Sequence, residues 1–329
     1  QVPKPTKLTS IQGLKDAQQI AFSYGLTTVD DAGLDQSTVE LIDSLQQENE
    51  LKIRIYAMIS ATQKNLDYYI NKGIIKTDRL HVRSFKIYGD GALGSRGAAM
   101  RKSYSDRSNH FGALIYKPER YREMAKQIAA SEYQMNTHAI GDSANTWILK
   151  TYKKFLQGKT NKRWRIEHAQ IIAPEDFMFF ENVIPSIQPT HATSDMYWAQ
   201  DRIGKERMKG AYAYKDLLEV YGKVALGTDF PVEQVNPFLT FYSAAVRKDT
   251  DGYPDGGFQI ENRLSREETL KGMTIWAAYS NFEENEKGSI EVGKLADFTI
   301  LDQNIMTVDA AKIPKTKATA TYVNGEKVY

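Results

Sequence analysis

The amino-acid sequence predicts an α/β fold, a (β/α)8 barrel of parallel strands. Short β-rich runs alternate with helical patterns along most of the chain, and four of the runs end on a side chain that can do chemistry. In such a barrel the C-terminal ends of the strands share one mouth, where active sites lie. Side chains that are distant in sequence are therefore expected to meet there. The four are Lys86, His138, His168 and Asp229.

Seven strands are predicted from β-rich composition and alternation. The run 52–59 (KIRIYAMI) alternates as a half-buried strand does, and 82–88 (VRSFKIY) is β-rich and meets a glycine turn. The predicted strands are 26–29, 52–59, 82–88, 134–138, 164–168, 184–188 and 224–228.

Helices are predicted between these strands from apolar spacing and end signals. Residues 8–24 carry apolar side chains at roughly helical spacing and end at Gly25, with Thr9 and Ser10 as candidate caps. Ser265 and Glu268 form a capping box that opens a helix to about Ala278. The other predicted helices are 38–48, 66–71, 118–133, 143–155, a helix that opens at Pro174, and 214–221.

Two segments are too long for ordinary connections. Residues 89–109 and 192–213 are predicted to be long loops, and loops of this length are uncommon unless they form a lid or a binding loop. Substrate contacts are therefore expected from them, with Arg96, Asp195 and Trp198 as candidates, although an ordinary exposed role suits each equally well.

The chain is predicted to have two domains, an incomplete barrel at 1–284 and a small β domain at 285–329. A closed barrel of this type needs eight strands, so the first strand is expected before Gln1. In the tail, the Asn324-Gly325 pair between two strand-like runs predicts a hairpin.

Composition excludes several classes of protein. Lys plus Arg is 43 and Asp plus Glu is 41, with no basic block, so neither nucleic acid nor a membrane is an expected partner. Cysteine is absent, which excludes disulfides and thiolate zinc sites.

The chain begins without methionine or a signal pattern, so we expect a processed or truncated soluble product, cytoplasmic or periplasmic. The exposed strand edges of an incomplete barrel suggest a homo-oligomer.

The four strand ends form a plausible metal-ligand set, because imidazole and carboxylate are standard zinc donors. Each residue also has an ordinary interpretation. His138 and His168 could be hydrogen-bonded core histidines, and Asp229 could cap the turn before Phe230-Pro231. Lys86 joins such a set only as a neutral amine or a carbamate, and it could instead form a buried ion pair or a Schiff base.

The ordered motifs resemble the YtcJ-like family 3 branch of the amidohydrolase superfamily. The resemblance runs in the family's order over nearly the whole chain, and the motifs are specific together rather than singly. They are 85–96 (FKIYGDGALGSR), 138–142 (HAIGD), 167–170 (EHAQ), 188–195 (QPTHATSD), 227–231 (GTDFP) and 288–297.

The resemblance implies a metal-dependent barrel that hydrolyses C–N bonds of amides, formamides or cyclic ureides, with a small-molecule amide as its partner and a small β-sandwich built from both chain ends. It implies that Lys86 is a carboxylated bridging lysine, that His138 and His168 bind a metal ion, and that Asp229 is a ligand and the general base. Zinc is the default, one or two ions per site, and iron or manganese would suit the same ligands. The family's His-x-His motif is absent, so half of the metal site and half of the sandwich are expected to be missing, and the chain could hold no metal.

Several other residues receive expected roles. His191 could hydrogen-bond the substrate or its oxyanion, or could stabilise its loop. Asp142 and Gln188 are expected to orient the histidines, and His81 and His110 are expected at the surface. Two alternative functions stay open: a non-catalytic, metal-poor scaffold protein, and a Schiff-base lyase that uses Lys86.

Overall fold

A computed structural model describes residues 6–329, and its main feature is a curled sheet of seven parallel strands. The strand order is β1-β2-β4-β5-β6-β7-β8, with β1 and β8 at the two ends of the path, and β3 pairs with β4 in the antiparallel direction. All seven predicted strands are present, and the two-residue β3 is an addition. The strands are β1 (Thr28–Leu34), β2 (Arg54–Ser60), β3 (Ile75–Lys76), β4 (Leu80–Tyr88), β5 (Gln134–Ala139), β6 (Arg165–His168), β7 (Ile184–Ile187) and β8 (Ala225–Leu226).

Helices connect the strands and begin at the caps that local chemistry supplies. The Thr6 side chain, rather than that of Thr9 or Ser10, caps α1 by accepting a hydrogen bond from the Thr9 backbone. The capping box of Ser265 and Glu268 is present at the start of α10. No helix within residues 6–329 is long and apolar enough to cross a membrane. The helices are α1 (Lys7–Ser23), α2 (Gln36–Gln47), α3 (Gln63–Lys72), α4 (Pro118–Ala129), α5 (Asp142–Leu156), α6 (Pro189–Asp195), α7 (Ala199–Met208), α8 (Tyr214–Tyr221), α9 (Pro237–Val246), α10 (Arg266–Met273) and α11 (Ile275–Ser280), with a 3-10 stretch at Pro174–Asn182.

Three helical regions differ from the sequence prediction. The predicted loop 192–213 contains most of α6 and all of α7, which are short and carry no long apolar repeat, and Gly204 interrupts α7 at a φ of 73°. Helix α9 was not predicted because it is apolar on nearly every side, so it lacks the periodicity of an amphipathic helix. The helix predicted to run to Ala278 is broken at Thr274 into α10 and α11.

The pleat of the strands separates an apolar face from a polar one. On β4, Phe85 packs against Tyr133 near the helices, whereas Ser84 and Lys86 lie on the opposite, inner face. The inner face also holds a buried ionic cluster on β6. Its centre is Arg165, whose guanidinium contacts Asp30 at 3.0 Å and Glu167 at 2.9 Å. Polar groups therefore line the inside of the curled sheet.

The C-terminal tail forms a separate three-stranded antiparallel sheet in the order β11-β10-β9, made of β9 (Phe298–Leu301), β10 (Ala318–Val323) and β11 (Glu326–Lys327). The predicted hairpin is present, and Asn324 and Gly325 both have positive φ, at 53° and 79°. The Thr321 hydroxyl donates a hydrogen bond to the Phe22 carbonyl at the end of α1, at 2.7 Å. The tail thus packs on the first helix, and the boundary at 284/285 stays a prediction.

His81 corrects one expectation, because its side chain is buried rather than at the surface. Its Nδ1 lies 3.2 Å from a carboxylate oxygen of Glu283, which also pairs with Lys76 and, at 2.5 Å, with Lys287. Burial alone would raise the pKa of Glu283, but His81, Lys287 and Lys76 lower it well below its usual 4.5. The reason for the error is that the partner lies 202 residues away in sequence.

Replacing Glu283 with glutamine should lower the free energy of unfolding by about 3 kcal/mol at neutral pH, because Lys287 keeps a buried charge without its partner. The folded-state pKa of Glu283 is depressed, so its stabilisation is present above about pH 4.5 and is lost as the pH falls below that value. Urea unfolding of the original chain and the Glu283→Gln variant between about pH 2 and pH 8 measures this difference.

Glu286 offers the matched control, because it pairs with the same Lys76 from an exposed position. Changing Glu286 to glutamine should cost less than about 1 kcal/mol. Equal effects of the two substitutions would contradict the importance of the buried network.

Candidate metal centre

The parallel register brings the predicted strand ends together. Tyr88 on β4 is paired with His138 on β5, and Ala139 on β5 is paired with His168 on β6. As a result the ring centroids of His138 and His168 are 4.5 Å apart, and His191 follows at 5.9 Å from His168. The structure therefore places three histidines in a row at the C-terminal ends of neighbouring strands.

His168 lies in the middle of this row and is held by a side chain from the next strand end. Its Nδ1 is 2.7 Å from Oε1 of Gln188, so the amide oxygen accepts a hydrogen bond from Nδ1 and leaves Nε2 free. The backbone of His168 has a φ of 76°, and Asp229 has a φ of 59°. Such left-handed backbone is costly for residues other than glycine and clusters at functional sites. Both residues are candidate ligands.

Asp229 lies beside His191, which is on α6. The Nε2 atom of His191 is 3.3 Å from Oδ2 of Asp229, and its Nδ1 is 3.1 Å from Oε1 of Glu233. Burial alone would lower the pKa of His191, but its hydrogen bonds with Asp229 and Glu233 raise it to about 9. One ligand atom from each of His168, His191 and Asp229 lies within 4.8 Å of the other two.

His138 lies near a buried carboxylate, that of Asp90. Its Nε2 is 3.5 Å from Oδ1 of Asp90, and the atom is buried with no hydrogen-bond partner among residues 6–329. The pKa of His138 is lowered to about 4 by burial and by Lys86. Asp142, which was expected to orient a histidine, instead accepts a hydrogen bond from the Arg101 backbone at 2.8 Å.

Lys86 is buried at the base of the site, with 6% of its surface exposed. Burial lowers its pKa, while Glu167 and Asp229 act in the opposite direction. Its Nζ lies 5.1 Å from the ring centre of Tyr88. Lys86 is thus close enough to His138, Glu167 and Asp229 to interact with them electrostatically, and its role in a metal set stays a prediction.

The three residues expected to bind substrate have separate surroundings in the structure. Arg96 forms a two-point ion pair with Asp106 at 3.0 and 2.8 Å within its own loop. Asp195 is hydrogen-bonded to Tyr212 at 2.7 Å, and burial raises its pKa to about 6. Trp198 lies against the loop after β4, where a Cβ on Gly94 would be 3.4 Å from the indole.

Sequence analysis did not identify two carboxylates of the site. Glu233 follows Asp229 by four residues, and Asp90 lies in the turn Gly89-Asp90-Gly91. Asp90 accepts hydrogen bonds from the backbone of Ala99, Ile140 and Gly141 at 2.8 to 3.0 Å, joining two loops beneath His138. Asp90 lies inside the motif 85–96, and Glu233 lies two residues after the motif 227–231, which was the available signal.

These residues fit a divalent cation. Two imidazoles and a carboxylate within 4.8 Å form a donor set typical of zinc. The buried Nε2 of His138, which has no partner in the described part of the chain, is a further donor that a cation would satisfy. The fold and the site together define an α/β protein with a cluster of histidines and carboxylates, a candidate metal site, at the ends of parallel strands.

Comparison with known proteins gives the family. The amidohydrolase family model matches residues 11–329, and the chain belongs to the amidohydrolase family. Protein LONG AFTER FAR-RED 3 of Arabidopsis thaliana is 31% identical over 335 residues, covering 97% of this chain and 57% of that protein. The putative amidohydrolase YtcJ of Bacillus subtilis is 31% identical over 248 residues, covering 75% of this chain and 47% of that protein.

A solved structure agrees with the fold. An uncharacterized metal-dependent hydrolase from Pyrococcus horikoshii has a TM-score of 0.83 and 26% identity, covering 93% of this chain and 62% of that one. The chain spans about half the length of the two sequence relatives. The family resemblance inferred from the motifs is therefore confirmed.

Proposed function

We propose that this chain carries the catalytic strand ends of a metal-dependent hydrolase that cleaves C–N bonds of small amides, formamides or cyclic ureides. The observation that carries the proposal is the cluster of donor atoms from His168, His191 and Asp229 at the ends of parallel strands, in a member of the amidohydrolase family. Zinc is the proposed ion, and Lys86 and His138 adjoin the same centre.

A bound divalent ion would supply Lewis acidity, which polarises the substrate carbonyl and makes water a better nucleophile near neutral pH. Asp229, whose side chain is 35% exposed, is the carboxylate that solvent and substrate can reach. It takes a proton from the attacking water and returns it to the nitrogen as the C–N bond breaks. His168 and Asp229 would hold the ion, and Gln188 keeps the His168 ring in place.

The test is hydrolysis by the chain after reconstitution with zinc and bicarbonate. A panel of N-formyl amines, N-acetyl amines and hydantoins is incubated with the protein, and the released amine or the ring-opened product is measured by mass spectrometry. Turnover by the original chain that falls at least about 100-fold in Asp229→Asn would support the proposal. Turnover that is unchanged in Asp229→Asn would contradict it.

The same experiment separates the two alternatives. A chain that binds no zinc and hydrolyses no compound of the panel would favour the non-catalytic, metal-poor scaffold protein. Borohydride trapping of a carbonyl compound on Lys86 would favour the Schiff-base lyase.

A further inference from the structure

The two histidines that cluster with Asp229 share one arrangement. A side-chain oxygen engages Nδ1 of each ring: Gln188 Oε1 at 2.7 Å for His168, and Glu233 Oε1 at 3.1 Å for His191. Each Nδ1 therefore carries a proton, and Nε2 is the nitrogen of each ring that remains to bind a metal ion. Histidines that bind metal ions are usually oriented in this way, by an acceptor on the other ring nitrogen.

The spacing of the donor atoms also suits a metal ion. Ligand atoms about 2.1 Å from a tetrahedral ion lie about 3.4 Å from one another. Nε2 of His191 and Oδ2 of Asp229 are 3.3 Å apart. The third donor, from His168, lies within 4.8 Å of both. Only a small movement of His168 would complete a three-ligand face.

We propose that His191, through Nε2, is a third protein ligand of the divalent cation beside His168 and Asp229, and that Glu233 is the positioning residue that holds His191 for this role. Sequence analysis gave His191 either a contact with the substrate or its oxyanion or a role in stabilising its loop, and gave Glu233 no role. The inference rests on the metal dependence in the proposed function and is independent of the substrate.

The surroundings of Glu233 support a positioning role. Its Oε1 accepts hydrogen bonds from Nδ1 of His191 and, at 2.6 Å, from the hydroxyl of Ser194. His191 and Ser194 lie one turn apart on α6, whereas Glu233 lies in the loop that follows Asp229. One loop thus supplies a carboxylate to each nitrogen of the His191 ring. The His191 side chain is 10% exposed, which leaves little room for its ring to rotate.

The competing explanation is a purely structural ion pair, in which a charged His191 bridges Asp229 and Glu233. The two explanations differ in what they predict for metal binding. A ligand is required for affinity and for the electronic spectrum of the bound ion. A structural bridge affects the stability of the metal-free protein instead.

The experiment is a Co²⁺ titration of the metal-free chain, followed by visible absorption, with Zn²⁺ competition to obtain affinities. His191→Ala should weaken binding at least about 100-fold and change the visible bands of any cobalt that remains. Glu233→Ala should weaken it about 10- to 100-fold, and Glu233→Gln, whose amide oxygen still accepts a hydrogen bond, should recover part of that loss. His110→Ala is the control, because this histidine contacts the Arg96 carbonyl outside the cluster.

Binding by His191→Ala within about threefold of the original chain, with the same spectrum, would overturn the inference. If circular dichroism showed that variant to be unfolded, unchanged affinity in a folded Glu233→Ala protein would overturn it as well. An original chain that binds neither ion at millimolar concentration would refute this inference together with the metal dependence. Normal binding without turnover of any amide would refute the proposed function and leave the ligand set in place.

Discussion

His168→Ala is expected to weaken Zn²⁺ binding by about 1,000-fold or more, the largest loss of any single substitution at the site. The reason is its central position: its ring lies 4.5 Å from that of His138 and 5.9 Å from that of His191. Removing an oriented ligand should exceed the 10- to 100-fold cost that is typical for a residue that only orients one. Zinc competition against a chromophoric chelator measures the change.

His110→Ala serves as the control for the loss of a histidine elsewhere. Gln188→Ala provides an intermediate case, because it frees Nδ1 of His168 without removing the ring. Its expected loss is about 10- to 100-fold. If His168→Ala retained zinc within about threefold, the metal centre would have to be assigned to other residues.

Arg165→Met should have the largest effect on stability, lowering the free energy of unfolding by about 3 to 5 kcal/mol. Arg165 is 1% exposed and forms ion pairs with Asp30 and Glu167 on the inner face of the sheet. Burial alone would lower the pKa of its guanidinium, but Glu167 and Asp30 raise it, so the charge is retained. Methionine would leave both carboxylates with less compensation, that of Glu167 in a buried place and that of Asp30 in a partly exposed one. Urea unfolding at neutral pH measures the loss.

Arg120→Met is the matched control, because Arg120 forms an exposed pair with Glu123 one turn away on α4. That change should cost less than about 1 kcal/mol. A further substitution of Asp30 by asparagine in the Arg165→Met protein should restore part of the stability, since it removes one of the two uncompensated charges. A cost below 1 kcal/mol for Arg165→Met would show that the cluster contributes little.

The elements predicted correctly are those whose pattern is local. The seven strands are recognised because β-branched and aromatic residues recur in short runs, and α8 is predicted at its observed bounds because Gly222 ends it. Helix α9 was not predicted because burial on nearly all sides removes the apolar periodicity of an amphipathic helix. Helices α6 and α7 were not predicted because each is too short to show such a periodicity.

The residues of the candidate site also fall into those that a local sequence pattern identifies and those that it does not. Lys86, His138, His168 and Asp229 were found because each stands at the end of a recognisable strand, and parallel strand ends converge in every fold of this kind. Glu233 and Asp90 were missed because their importance lies in contacts with His191 and His138, which come from other elements. His81 was misjudged for the same reason, since its partner Glu283 follows the last helix.

By itself, then, the sequence determined the seven parallel strands, the helices with clear apolar spacing or end signals and the four strand-end residues, because alternation, capping and turn chemistry act within a few residues. The ordered motifs identified the family. Only the tertiary structure decided that a side-chain oxygen engages Nδ1 of both His168 and His191, and that donor atoms of these two histidines and Asp229 lie within 4.8 Å of one another. The physical reason is that these choices depend on contacts of a few ångströms between side chains 20 to 42 residues apart, which the local pattern of residues does not encode.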